Sequence, residues 1–387
     1  MPELRSEALT RTPLSAVHES LGATMTDFAG WLMPLRYRSE TAEHNAVRTA
    51  AGLFDLSHMG ELRVTGDEAA AALDYALVSD ISAIRPGRAK YTMIVAADGG
   101  VIDDLIVYRL DDQDFLVVAN ASNAVKVAAE LTERASGSGL AAQVEDRTSE
   151  YALIAIQGPR APEILAGLTD TDLTELRYYA GYPAVVAGRP VLLARTGYTG
   201  EDGFEIFTEP KDAAGLWSAL TEAGQGAGLI PAGLAARDSL RLEAGMPLYG
   251  NELSRQLTPY DAGLGRVVKL EKASDFVGRA ALADKASQPR EHVLVGLAGL
   301  TRRVPRHGFG VLWNGAPAGM VTSGGHSPTL GRPIAMAYLN ADAAKQATDA
   351  LESGQADGDG RLAIDIRGSA EPAELIPLPF YRRQQRD

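Results

Sequence analysis

The sequence predicts an α+β protein, with two related α+β domains followed by a small C-terminal β-barrel or jelly-roll-like domain. Three observations carry the prediction. A unit of short strand, Gly or Pro turn and amphipathic helix recurs through the first two-thirds of the chain. Hairpins lie between the units, which favours mostly antiparallel sheets with helices on one side. From about Arg290 the texture changes to short β-type runs broken by Gly, Pro and Asp.

The elements follow in chain order. Residues 1–12 read as a loose polar arm and 14–21 as a short helix. DFAGWLMPLRY is an aromatic segment broken by Gly30 and Pro34, and 39–53 carries Glu43, His44 and Arg48 in a helical pattern. ELRVTG is a strand, with Asp67 as N-cap for the helix EAAAALDYAL. VIDDLIVYRL, a DDQD turn and DFLVVAN form a hairpin running into a helix over 122–134. LIAIQG leads into PRAPEILAGL, with Pro159 suited to the first helical turn, and FEIFTEP leads into KDAAGLWSALTEAG. The C-terminal runs HVLVGLAG, GVLWNG, GMVTSG, IAMAYL and LAIDIRG fit a barrel, with ESGQADGDG as an exposed loop inside it.

Composition narrows the function. Of 387 residues, 45% are hydrophobic and 22% charged, which suffices for a buried core. The net charge of −13 argues against nucleic acid and anionic membrane surfaces as partners. The absence of cysteine removes disulfides, thiolate metal sites and cysteine nucleophiles. Six scattered histidines show no metal-ligand spacing, so no metal is expected. The N-terminus lacks a signal-peptide core and no apolar run is long enough to span a bilayer, which makes a cytoplasmic location the expectation.

Some glycine and lysine motifs are set aside. GQGAG at 224–228 follows a helix rather than a strand and reads as a helix C-terminal loop. LEKASD at 270–275 is similar to a lipoyl-lysine turn, but nothing around it resembles a lipoyl domain, so Lys272 reads as a solvated lysine.

Three segments carry chemistry. In GGVIDDLIVYR, strand alternation puts Asp103 on one face with Leu105 and Val107, and Asp104 on the other with Ile106 and Tyr108. Either way a carboxylate sits in an apolar stretch, where burial tunes it for acid–base or electrostatic work unless backbone N–H groups merely cap it. In RTGYTGEDGFEIF, glycines permit tight turns and Glu205 points away from Phe204 and Ile206, either simply exposed on a sheet face or facing a ligand whose ring N–H groups would give it paired hydrogen bonds. GLAARDSLRLEAGMPLYGNEL reads as a helix with Leu234, Leu240 and Leu242 inward and Arg237, Asp238, Arg241 and Glu243 able to pair, stopped by Gly245.

Taken with TPL, FAGWLMPLRY, EHNAVRTAAGLFDLSHMGEL, DFVGRAAL, VTSGGHSPTLG and PLPFYRR, these segments resemble the aminomethyltransferase family of the glycine cleavage system nearly end to end. The resemblance implies a three-domain, cloverleaf-like arrangement. Residues 1–55 with 145–285 form one ferredoxin-like α+β domain, 56–144 the second, carrying Asp103, and 286–387 the barrel. It also implies an activity: tetrahydrofolate accepts a methylene carbon from an aminomethyl group on the lipoyl arm of a carrier protein. Ammonia leaves and 5,10-methylenetetrahydrofolate forms. The family's essential aspartate falls on Asp103, Glu205 grips the pterin, and Arg237, Tyr198, Tyr91, Asn120 and Met59 line the folate site. Arg266, after TPYDAGLG, stands where many relatives have an aromatic residue. That departure leaves a folate-dependent demethylase, or a noncatalytic folate-binding relative, as the alternatives.

Overall fold

The structure, a computed structural model, describes residues 9–353 and 361–383. Most of the N-terminal arm and of the ESGQADGDG stretch lies outside these residues. The chain divides into two compact units. The first comprises Met1–Leu62, Asp146–Gly197 and Glu201–Arg237, and the second comprises Arg63–Glu145, Tyr198–Gly200 and Asp238–Asp387.

The first unit is built on a six-stranded sheet. Its order is Gly181–Val186, Arg189–Ala194, Gly203–Thr208, Ala152–Gln157, Ala51–Asp55 and Leu229–Pro231. One face carries Leu53, Ile154, Ile156, Leu193, Phe204 and Ile206, which form a core with helices Ala161–Ala166 and Ala213–Gly224. The opposite face carries Glu205, directly across from Ala155 on one neighbouring strand and Ala194 on the other. Glu205 is the one half-buried residue of an otherwise buried strand.

A smaller three-stranded sheet in the same unit joins Thr10–Arg11, Trp31–Arg36 and Thr24–Phe28. The aromatic segment is thus a hairpin, closed by Ala29 and Gly30, both at positive φ. Thr10 and Arg11 pair with it, so the end of the N-terminal arm is not loose.

The second unit carries a five-stranded sheet ordered Arg88–Val95, Val101–Asp111, Asp114–Ala119, Gly60–Thr65 and Gln143–Asp146. Helices Ala69–Ala76 and Ala124–Ser138 belong to it. It also holds the expected C-terminal barrel, which closes through His292–Gly299, Arg332–Asn340, Ala316–Ser327, Gly310–Trp313, Leu362–Ile366 and Ser369–Ile376. Helix Ala341–Glu352 follows the barrel strand Arg332–Asn340, N-capped by Asn340 through its side chain. Among the described residues no helix is long and apolar enough to cross a membrane.

Several local expectations are corrected. The helix after Ser39 spans only Glu40–Thr49, and the apolar run beyond it is the fully buried strand Ala51–Asp55. The N-cap at the second unit's first helix is Glu68 rather than Asp67 and makes no side-chain cap bond. The proline inside the Ala161–Ala166 helix start is Pro162, since Arg160 is the N-cap. The helix read at 122–134 runs over Ala124–Ser138.

Lys272 is not a solvated lysine. Its ammonium is buried and donates to the carbonyls of Asp74, Leu77 (2.7 Å) and Ser79 (2.9 Å), and it lies 4.6 Å from the Phe276 ring centroid. These are the orphan carbonyls at and beyond the end of helix Ala69–Ala76, so the lysine closes that helix terminus. Burial pushes its pKa down to about 8, against the pull of Asp74 and Asp80.

Candidate functional site

In the second unit the site is organised by the strand Val101–Asp111. Its entry is tightly fixed: a Cβ on Gly100 would fall 2.1 Å from the Arg255 carbonyl oxygen, and the Val101 N–H donates to Leu257 O at 2.9 Å. Only glycine permits that approach. Two residues on, alternation separates the carboxylates as the sequence requires. Asp103, Leu105 and Val107 are buried on one face, whereas Asp104 and Ile106 are half-buried on the other.

Asp103 is wholly buried and its two oxygens are met by three donor groups. The Asn120 backbone N–H reaches Oδ2 at 3.0 Å, and the side-chain amides of Asn120 and Asn123 reach Oδ1 at 2.9 and 2.6 Å. The same Asn120 amide donates to Asp104 Oδ1 at 2.8 Å, so one side chain bridges both carboxyls. The Tyr91 hydroxyl donates to Asp104 Oδ2 at 3.0 Å.

Burial, followed by the neighbouring Asp104 charge, pushes the Asp103 pKa up to about 7 against the pull of the asparagine donors. Burial also raises Asp104, with the Tyr91 and Asn120 hydrogen bonds opposing it. Near neutrality Asp103 can hold a proton or release it, which an exposed carboxylate cannot do.

Around the pair, the Tyr249 hydroxyl donates to the Val101 carbonyl at 3.3 Å. Tyr91, Tyr249, Tyr260, Leu264 and Val267 pack against one apolar cluster with Met93 and Leu253. The turn after helix Leu234–Glu243 is locked by buried Arg241, which bonds Glu252 (3.0 Å), the Met246 carbonyl (3.3 Å) and Ser323 (2.8 Å). Tyr198 donates its hydroxyl to Pro247 O in that turn. Arg266 is exposed on a 3-10 turn, Gly265–Val267.

The first unit carries the other candidates. Glu205 accepts a short hydrogen bond from the Thr196 hydroxyl. Its neighbours in the loop are already engaged: Arg195 grips Asp202 through two bonds of 3.0 and 2.6 Å, and Arg48 pairs with Glu201 at 2.9 Å. The acidic side chains of RTGYTGEDGFEIF therefore divide into two that brace the loop and Glu205, held on the sheet face by Thr196.

Arg237 stands half-buried on helix Leu234–Glu243. The helix start is pinned by buried Glu43, whose oxygens accept N–H groups from Tyr37 (2.8 Å), Arg38 (3.0 Å) and Gly233 (2.9 Å). Met59 is half-buried in the turn after strand Ala51–Asp55. Beside it, burial and then the Arg237 charge push the His58 pKa down to about 4, so this imidazole is neutral at physiological pH.

The structure thus groups Tyr91, Asp103 and Asn120 in one hydrogen-bonded cluster around the carboxyl pair, and places Tyr198 elsewhere in the same unit. Met59, Glu205 and Arg237 belong to the first unit. Sequence reasoning missed Asn123, Thr196 and the engagement of Asp104 by Tyr91. The signal available for Asn123 was its place three residues after Asn120, just beyond a strand end. Asn120 does not cap the following helix; its amide is spent on the two aspartates.

Fold and site together define an α+β protein with a C-terminal barrel and a hydrogen-bonded carboxyl pair, Asp103 and Asp104, on the strand Val101–Asp111. The chain belongs to the glycine cleavage T-protein family. Residues 14–272 match the GCVT N-terminal domain and residues 292–382 the glycine cleavage T-protein C-terminal barrel domain. The chain is 60% identical to an aminomethyltransferase of Streptomyces coelicolor, covering 99% of this chain and all of the relative. It is 48% identical to one from Thermus thermophilus, covering 96% and 99%. The crystal structure of glycine cleavage system aminomethyltransferase T from Bartonella henselae superposes with a TM-score of 0.85 at 36% identity, covering 96% of this chain and 98% of that one.

Proposed function

We propose that the protein is a tetrahydrofolate-dependent aminomethyltransferase that takes its one-carbon unit from an aminomethylated lipoyl arm on a carrier protein. The methylene carbon leaves the arm's sulfur and its amino nitrogen and becomes bonded to two folate nitrogens. Ammonia and the reduced dithiol arm depart, giving 5,10-methylenetetrahydrofolate. The observation that carries this reading is the Asn120-bridged carboxyl pair on Val101–Asp111, in a chain similar over its whole length to aminomethyltransferases.

The pair supplies negative charge where positive charge develops on the transferring carbon, in a low-dielectric setting that strengthens the effect. Sequence matching assigns this role to Asp103, whose oxygens are oriented by Asn120 and Asn123, with Asp104, held by Asn120 and Tyr91, beside it. Glu205 grips the pterin ring through paired hydrogen bonds, and Arg237, Tyr198, Tyr91, Asn120 and Met59 serve the folate site. The three-part domain division read from the sequence belongs to the same proposal.

Parallel Asp103→Asn and Asp104→Asn variants test the assignment. Asp103→Asn is expected to slow transfer by about 10²- to 10⁴-fold while keeping most folate affinity. A larger loss for Asp104→Asn would move the role to Asp104, and no loss in either would remove the pair from the reaction.

A further inference from the structure

Glu205 stands on a sheet face between two alanines, its cross-strand partners Ala155 and Ala194, with Phe54 beyond Ala155 in the same row. The row on one side holds Gly203, Gln157 and Gly52, and the row on the other holds Phe207, Leu153 and Leu192. The Glu205 carboxylate is the polar group of its row. The glycines make room for the Gln157 side chain beside that row: a Cβ on Gly203 would lie 2.6 Å from Gln157 Nε2, and one on Gly197 would lie 2.0 Å from Gln157 Oε1.

Gln157 is itself buried, and its amide donates to the Thr196 carbonyl at 3.1 Å. Thr196, buried in turn, donates its hydroxyl to Glu205 Oε2. We infer that Gln157 and Thr196 form a two-link brace that fixes the rotation of the Glu205 carboxylate, making Thr196 a positioning residue for recognition of an aminopyrimidinone ring edge. The inference rests on the proposed role of Glu205.

The physical reason is directional. A ring presenting two parallel N–H groups needs both carboxylate oxygens in the ring plane, and a freely rotating carboxylate loses entropy on binding. The Thr196 hydroxyl restricts that rotation before the ring arrives. A β-branched threonine, with few χ1 choices, holds its own hydroxyl in place, and Gln157 fixes the backbone that carries it. A valine at this position keeps the shape and removes only the donor.

The test measures tetrahydrofolate binding to the full-length protein, and KM and kcat for transfer, in Thr196→Val, Thr196→Ser, Thr196→Ala and Glu205→Gln. Thr196→Val and Thr196→Ala are expected to weaken folate binding and raise its KM about tenfold, with kcat at saturating folate within about twofold. Thr196→Ser should bind close to the parent, because it restores the hydroxyl, and the Ser–Ala comparison decides the matter if the valine variant does not fold. A loss in Glu205→Gln with parental binding in Thr196→Val and Thr196→Ala overturns the brace and leaves the Glu205 role standing. Parental binding in Glu205→Gln overturns both. A fall in kcat with unchanged KM in the Thr196 variants would also contradict a positioning role in ring recognition.

Discussion

Replacing Asp103 by Asn should change how stability depends on pH, by an amount the site geometry fixes. The Asp103 pKa moves from 3.8 to about 7 in the folded protein. At about 1.4 kcal/mol per unit, keeping this carboxylate ionised costs the native state about 4 kcal/mol. The sign follows from proton counting. Between the two values the folded chain holds more protons than the unfolded chain, so stability is lost as pH rises through that window and stays low above it. From about pH 5 to about pH 9 the parent should lose about 2–3 kcal/mol through this group, and Asp103→Asn should not.

The absolute stability of the variant is a poorer guide. An asparagine keeps one oxygen facing the amides of Asn120 and Asn123, but turns an NH₂ toward the Asn120 N–H, at a pH-independent cost of about 1–3 kcal/mol. The assay is therefore urea denaturation of both proteins across the pH range, read as the difference between their slopes. Parallel curves would refute the claim that Asp103 is held near neutrality by burial and by Asp104.

Other consequences are separable. Glu205→Ala should weaken tetrahydrofolate binding about tenfold to a hundredfold by removing a charged acceptor, with a smaller effect on turnover at saturation, read by calorimetry and steady-state kinetics. Lys272→Met should cost about 2–4 kcal/mol in urea denaturation, because the Asp74, Leu77 and Ser79 carbonyls lose their shared donor. Methionine preserves the stem and the Phe276 contact, so a negligible loss would mean that water serves those carbonyls equally well.

The hairpin of Val101–Asp111 and Asp114–Ala119 was legible because two apolar, β-branched runs flank the polar DDQD turn. Helix Leu234–Glu243 was legible from its inward leucines and the Gly245 stop, which adopts positive φ. Where both faces of an element are buried, the pattern fails: Ala51–Asp55 is buried throughout and reads as a continuation of the preceding helix. Alternation separated Asp103 from Asp104, yet it could not say which face is covered, since that depends on where the Asn120–Asn123 segment returns. Lys272 and Thr196 were invisible for a related reason. Their partners are backbone carbonyls nearly two hundred residues away in one case, and a glutamate set by strand register in the other.

The measurement closest to the central claim is reconstitution of the transfer. Purified protein, tetrahydrofolate and aminomethylated lipoyl carrier are mixed, and methylenetetrahydrofolate and ammonia are quantified together. The account predicts both products in equal amounts, dependent on the carrier and on the Asp103–Asp104 pair. Failure to form either, with turnover of a methylated small-molecule donor in their place, would contradict it.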